Sequence, residues 1–346
     1  MSLPPWTRQA EGAVAADGAR AHGRRAAKGA AYILAASVAR FGAGLAAAVV
    51  LARLLTPEDF GLMGMVAPIV AFLMIFADAG VSFHTLQRIG LDERELSLTF
   101  WLNLAISLAV ALGFVALAPA LAWFYDEPRV TPIALVLAFA FAVNGLKLQH
   151  DAAEVFATVV SVAAGIAVAL AGGGVWALVA VQLGRPAGHA VAIWVLTRWR
   201  PMLPRSLKGA GGILGFGGAM MTGRLAVVAT KSVDKVLIGW RHGAEALGPY
   251  QLAHQLMVLP LNQIQSPVAG VAVPYLARLR DEPAAFMEGL SRATAALAYA
   301  IWPAMAVAAV VAEPLIGLGL GSQWRSAAPL FALLALSLLF ETTRPV

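Results

Sequence analysis

The chain has 346 residues, of which 60% are hydrophobic and only 13% charged, with a net charge of +6 and no cysteine. A soluble domain carries about 25% charged residues, so there are too few charges here to coat a surface in water, and the mean hydropathy of +0.76 agrees. A soluble enzyme, a nucleic-acid binder and a disordered scaffold are excluded, as are disulfides and thiolate chemistry; the composition is that of an all-α polytopic membrane protein.

The first 28 residues are polar and carry Arg20, Arg24, Arg25 and Lys28. The apolar stretch that follows is too long for a signal-peptide core and reads as a retained first span. A spanning helix needs about 20 mostly apolar residues. About ten segments qualify: 30–52, 61–83, 99–123, 131–147, 155–171, 174–197, 210–231, 247–274, 291–312 and 328–345. With the N-terminus in the cytoplasm, 16 of the 25 Lys and Arg fall on the cytoplasmic side, 6 on the other, and Arg40, Arg185 and Arg224 lie inside spans. Positive residues gather on the cytoplasmic side of membrane proteins, so the bias predicts a cytoplasmic N-terminus. No stretch between spans exceeds about 20 residues, which leaves no room for a soluble catalytic domain.

An internal repeat is visible. The run LTPEDFG at 55–61 leads into the second span, and RHGAEALG at 241–248 leads into the eighth. The third span exits through Pro119 and the fourth opens at Pro132; the ninth exits through Pro314 and the tenth opens at Pro329. Helices one to four thus resemble helices seven to ten. Six helices per unit is an even number, so two similar lobes should share one topology, as in secondary transporters with a site between halves. The expected organisation is a basic tail (1–28), a six-helix lobe (29–197), a linker (198–209) and a second lobe of about four helices (210–346). Helices five and six have no counterpart in the second lobe, which is therefore expected to be incomplete, as a shortened product or a fragment.

Several spans carry polar groups that lipid would reject. An Arg at a helix centre costs about 2.5–3.5 kcal/mol on insertion scales, so Arg40 in the first span should face a hydrated or protein-lined wall, or else snorkel or bond a neighbouring helix. The sixth span holds Gln182, Arg185 and His189 on one face, beside Gly184 and Gly188 at the four-residue spacing of close helix packing. Arg185 and His189 line either a pathway or a polar seam. Arg224, Lys231 and Lys235 fall near one face of the seventh segment, with Asp234 in reach of Lys231. These form either a cationic wall with one carboxylate or an interfacial ion pair. The eighth span is the most polar, with Gln251, His254, Gln255, Asn262 and Gln265 recurring at helical spacing and Pro260 and Pro267 interrupting it. A milder stripe, Thr99, Asn103 and Ser107, marks the third span, and 172–174 reads as a tight glycine turn. The glycine-rich stretch 209–218 lacks the lysine of a phosphate loop, and the six His show no metal-ligand spacing. No metal or cofactor is expected.

The runs LARLLTPEDFG (51–61), FADAG (76–80), QR (87–88) and FWLN (100–103) together resemble the polysaccharide-exporter, Wzx-type flippase family of the multidrug/oligosaccharidyl-lipid/polysaccharide exporters. GVWALV (174–179), VDKVLIG (233–239), GAEALG (243–248), LPL (259–261), EP (313–314) and QW (323–324) agree. Members of that family usually have 12–14 helices and a longer basic stretch after helix four. The resemblance implies a transporter that moves an undecaprenyl-diphosphate-linked oligosaccharide across the bacterial inner membrane, with lipid and other polysaccharide-assembly proteins as partners and no nucleic acid. Under it, Arg40, Arg185, Arg224 and Lys231 are candidates for the diphosphate. Asn103, Gln251, His254, Asn262 and Gln265 would line the cavity, and Asp234 and His189 would couple an ion. A polymerase or ligase of the same substrates, a drug-efflux relative and an inactive remnant are the alternatives; the short outer segments argue against the first.

Overall fold

The computed structural model describes residues 41–42, 44–78, 93–146, 151–197, 201–202, 211, 221 and 223–341. Eleven helices run through them: α1 (Gly44–Leu54), α2 (Pro57–Asp78), α3 (Glu93–Tyr125), α4 (Val130–Asn144), α5 (Asp151–Leu170), α6 (Val175–Thr197), α7 (223–230), α8 (Val233–Arg278), α9 (Pro283–Val310), α10 (Ala312–Gly319) and α11 (Ala327–Glu341). A short 3-10 turn, Ser322–Trp324, joins the last two. No strand occurs among the described residues. Four helical stretches there are long and apolar enough to cross a bilayer, at Pro57–Ala77, Ser97–Tyr125, Gly223–Arg278 and Pro283–Val310, and shorter apolar helices accompany them.

Local chemistry starts and stops these elements. Thr56 caps α2: its backbone N–H donates to Asp59 Oδ2 at 2.9 Å, while the Asp59 N–H donates back to Thr56 Oγ1 at 3.3 Å. Pro57 takes the first helical position, where its missing N–H costs nothing. The glycine turn at 172–174 forms as expected, with φ of 77° at Gly172 and 54° at Gly174 letting α5 reverse into α6.

Prolines bend the expected boundaries less than their positions suggest. Pro119 lies inside α3, which runs on to Tyr125. Pro260 and Pro267 lie inside α8, and the residue with non-helical angles is instead Gly243, at φ 78° and ψ −175°. The eighth helix therefore starts about 14 residues earlier than hydropathy predicts, because its polar first turns dilute the apolar signal.

Packing follows the small residues. A Cβ placed on Gly184 would lie 2.8 Å from Ser161 Cα, and one on Gly188 would lie 3.0 Å from Ala157 Cα, so the glycine pair of α6 seats α5 backbone against backbone. Phe114 of α3 meets Phe141 of α4 edge to face with centroids 5.5 Å apart, a favoured geometry for aromatic pairs. One apolar core joins α2, α3, α4 and α6 and takes in Ala244 and Leu247 of α8. A second joins α1 and the start of α2 to α8, α9, α10 and α11, and takes in Ala169 of α5 and Ala177 of α6.

The two groups of helices meet where α2 crosses α8. A Cβ on Gly61 would fall 1.8 Å from the carbonyl oxygen of Ala244, and one on Gly248 would fall 1.8 Å from the carbonyl oxygen of Pro57. Gly61 and Gly248 are equivalent positions of the sequence repeat, 187 residues apart, and so are Pro57 and Ala244. Each contact is thus the mirror of the other, and a local pseudo-twofold axis passes between them.

Gly61→Ala should force this crossing apart. Overpacking costs about 1–3 kcal/mol, so the variant should melt several degrees lower in detergent than the parent. Gly113→Ala, where nothing lies within 4 Å of the added carbon, should melt at or slightly above the parent because alanine is the better helix former.

Candidate functional site

The candidate site lies along α8, which packs on both groups. Its apolar face, with Leu252, Ala253, Met257 and Leu261, is buried in the second core. Helical spacing puts Gln251, His254, Gln255, Asn262 and Gln265 on other faces. Gln251, His254, Gln255 and Gln265 are half-buried and Asn262 is exposed. Gln251 looks toward α2: a side-chain carbon on Gly64 would sit 3.5 Å from its Cβ.

The break at Gly243 lets the first turns of α8 take their own direction. Across it the Tyr250 hydroxyl donates to Asp234 Oδ2, and the Tyr250 and His254 rings stand 6.4 Å apart. Lys231, Asp234 and Lys235 are all near enough to His254 to act on it electrostatically. Asp234 Oδ1 and Gln251 Oε1 are buried acceptors with no hydrogen-bond donor among the described residues. Amines, a carboxylate and amide groups are the right chemistry for an anion beside hydroxyls. The expected Lys231–Asp234 pair does not form among the described residues; the carboxylate takes the Tyr250 hydroxyl instead, and Lys231 stays exposed.

The remaining candidates are dispersed. Arg40 lies outside the described residues. Arg185 is exposed on α6 and Arg224 is exposed on α7. His189 is buried on α6, one residue from the Gly188 contact with α5. Asn103 serves the packing of α3 on α4, donating from Nδ2 to the Gly145 carbonyl at 3.3 Å. Its stripe-mate Ser107 is fully buried and donates to the Ala77 carbonyl of α2 at 3.3 Å. The third-span stripe therefore faces neighbouring helices. Groups that sequence reading gave no role cluster between α1 and α10 instead, next to Phe60 at the start of α2: Arg53, Gln323 and Trp324 all donate to main-chain carbonyls there. Their sequence signals were the run at 51–61, which holds Arg53, and the QW pair, both noted as parts of a resemblance without a role for these residues.

At the same end, outside the spans, Arg129 ties the α3–α4 hairpin to α2. It reaches Glu127 at 2.8 Å and Glu58 at 2.5 Å. The hydrogen bond from Arg129 holds the Glu127 carboxyl below the usual glutamate range, and the two carboxylates push Arg129 higher still.

A multi-pass α-helical membrane protein, with a polar helix that packs on two apolar cores, is the class this arrangement defines. The chain belongs to the family described as polysaccharide biosynthesis protein, whose model matches residues 50–329. It is 27% identical to the teichuronic acid biosynthesis protein TuaB of Bacillus subtilis, over 77% of this chain and 58% of that one. It is 26% identical to the succinoglycan biosynthesis transport protein ExoT of Rhizobium meliloti, over 86% of this chain and 63% of that one. It is 23% identical to the lipopolysaccharide biosynthesis protein WzxC of Escherichia coli, over 88% of this chain and 65% of that one. The chain thus spans about six-tenths of the length of these relatives. No solved structure matches it. The exporter resemblance read from 51–61 and the later runs is borne out by these matches.

Because the folded pKa of Glu127 is depressed, its contribution to stability is fully present above the unfolded value of about 4.3 and is lost as pH falls through the folded one. The stability gap between the parent and Glu127→Gln should therefore be flat above about pH 5.5 and shrink steadily below about pH 4. Thermal melts of both proteins across that range check it; a gap that widens in acid would reverse the assignment.

Proposed function

We propose that this chain is a flippase. It moves an undecaprenyl-diphosphate-linked oligosaccharide from the cytoplasmic to the outer leaflet of the bacterial inner membrane during surface polysaccharide biosynthesis. Its N-terminus is cytoplasmic, and the lobes 29–197 and 210–346 rock against each other. The observation that carries the reading is the polar run of α8, with Gln251 beside α2 and His254, Gln255 and Gln265 half-buried, in a chain of exporter family. A polar run in a spanning helix belongs at a pathway or a protein contact, and α8 meets both groups of helices.

A diphosphate cannot enter hydrocarbon without counter-charge. Arg40, Arg185, Arg224 and Lys231 would supply it, with arginine favoured because its planar fork holds two phosphate oxygens and stays charged. Gln251, His254, Asn262 and Gln265 would exchange hydrogen bonds with sugar hydroxyls in place of water. Asp234 and His189 would couple an ion gradient. No bond is made or broken, so no catalytic residue is assigned.

The test is made in cells lacking the gene. The lipid-linked repeat unit should build up on the cytoplasmic leaflet, and the 346-residue chain should return it to the outer leaflet. Unpolymerised units already on the outer leaflet would point to a polymerase or ligase. Replacing both Arg224 and Lys231 with Gln should cut the rate of return more than tenfold at equal protein level, since each charge-assisted hydrogen bond contributes about 1.5–3 kcal/mol. Normal transport by that variant would remove both residues from the substrate path.

A further inference from the structure

The seal at the α2–α8 crossing has two halves related by the 187-residue repeat offset, and they are built differently. In one half, Trp324 is wholly buried, meets Phe60 edge to face with centroids 5.1 Å apart, and donates from Nε1 to the Ala52 carbonyl at 2.7 Å. Gln323 Nε2 donates to the carbonyls of Ala52 and Leu55 at 2.8 and 3.2 Å. Arg53 donates from Nε and a terminal nitrogen to the carbonyls of Gly319 and Leu318, each at 2.8 Å. These carbonyls close α1 and α10, where a helix leaves acceptors unsatisfied and favours a cation.

In the other half the repeat equivalents of Ala52, Arg53 and Phe60 are Gly239, Trp240 and Leu247. The ring seated there is Tyr125, packed on Gly239 in one core with Leu247. Its hydroxyl has no hydrogen-bond partner among the described residues. Phe124 stacks on Trp240 with centroids 6.3 Å apart. One half is thus held by five directed hydrogen bonds and the other by apolar surface.

We propose that Arg53, Gln323 and Trp324 form a latch that ties α1 of the 29–197 lobe to α10 and the Ser322–Trp324 turn of the 210–346 lobe, and that its release governs opening between the lobes at the whole crossing. The hydrogen bonds are directional and must all break before the surfaces part. The Tyr125 half separates without breaking any. The latch rests on the transporter reading, because only a transporter must open here. Its test measures opening in substrate-free protein, so it fails independently of the leaflet assay.

The chain has no cysteine, so one introduced thiol reports alone. Leu55→Cys places it in the latched half and Leu247→Cys in the other, at two buried positions. Maleimide modification is timed on the full chain in lipid nanodiscs, where both faces meet the reagent. Arg53→Gln with Gln323→Ala should speed modification of both thiols by more than about tenfold, because it removes four of the five hydrogen bonds. Trp324→Phe, which keeps the ring and drops the donor, should speed both about threefold, and Tyr125→Phe should change neither. A rise at Leu55→Cys alone would mean local fraying and overturn the latch, as would no rise at either. An equal rise in Tyr125→Phe would also overturn it. Leu137→Cys, buried in the core of the first group, reports unfolding. If it too reacts in the double variant, Trp324→Phe decides by the same criteria.

Discussion

The architecture depends on two backbone contacts, Gly61 on the Ala244 carbonyl and Gly248 on the Pro57 carbonyl. Helices that touch main chain to main chain leave no space for a side chain at the crossing, and small residues are the general means of such approach within membranes. Lipid tails are as apolar as leucine, so burial alone does little to hold helices together there. Close van der Waals contact and a few hydrogen bonds must do it. Once α2 and α8 are in register, Phe60 meets Trp324 and Leu247 joins the core around Tyr125. The two groups become coupled through one crossing.

That crossing also explains how a chain so apolar tolerates a polar helix. Facing lipid, the amides and imidazole of α8 would each be costly. Gln251 is set beside α2 and His254, Gln255 and Gln265 are half-buried, while another face of the same helix is buried among leucines and methionine. The break at Gly243 adds a second direction to α8 and lets Tyr250 reach back to Asp234. The polar groups and the cations of 231–235 are thereby brought to one place.

Much of this was legible in the sequence. The spans read at 61–83, 99–123 and 291–312 announce α2, α3 and α9 by hydropathy, and the glycine turn at 172–174 and the Gly184–Gly188 contact follow from residue type and spacing. The repeat linking 55–61 with 241–248 was readable as similarity, though not as contact. The polar stripe of α8 was visible as well. Thr99, Asn103 and Ser107 had the same pattern in weaker form, yet Asn103 and Ser107 bond neighbouring helices within the first group. Spacing tells which residues share a face, and it does not tell what that face meets.

Helix content, a membrane setting and the exporter family are local or cumulative properties: each is a sum over residues along the chain, so the sequence by itself determined them. The meeting of Gly61 with Ala244, the reach of Trp324 back to Ala52 and the choice of Gly243 rather than Pro260 or Pro267 as the break are not sums of that kind. They depend on which surfaces face each other across 180 to 270 residues of chain. Only packing in three dimensions decides that, because a donor or a glycine acquires its role from the partner opposite it.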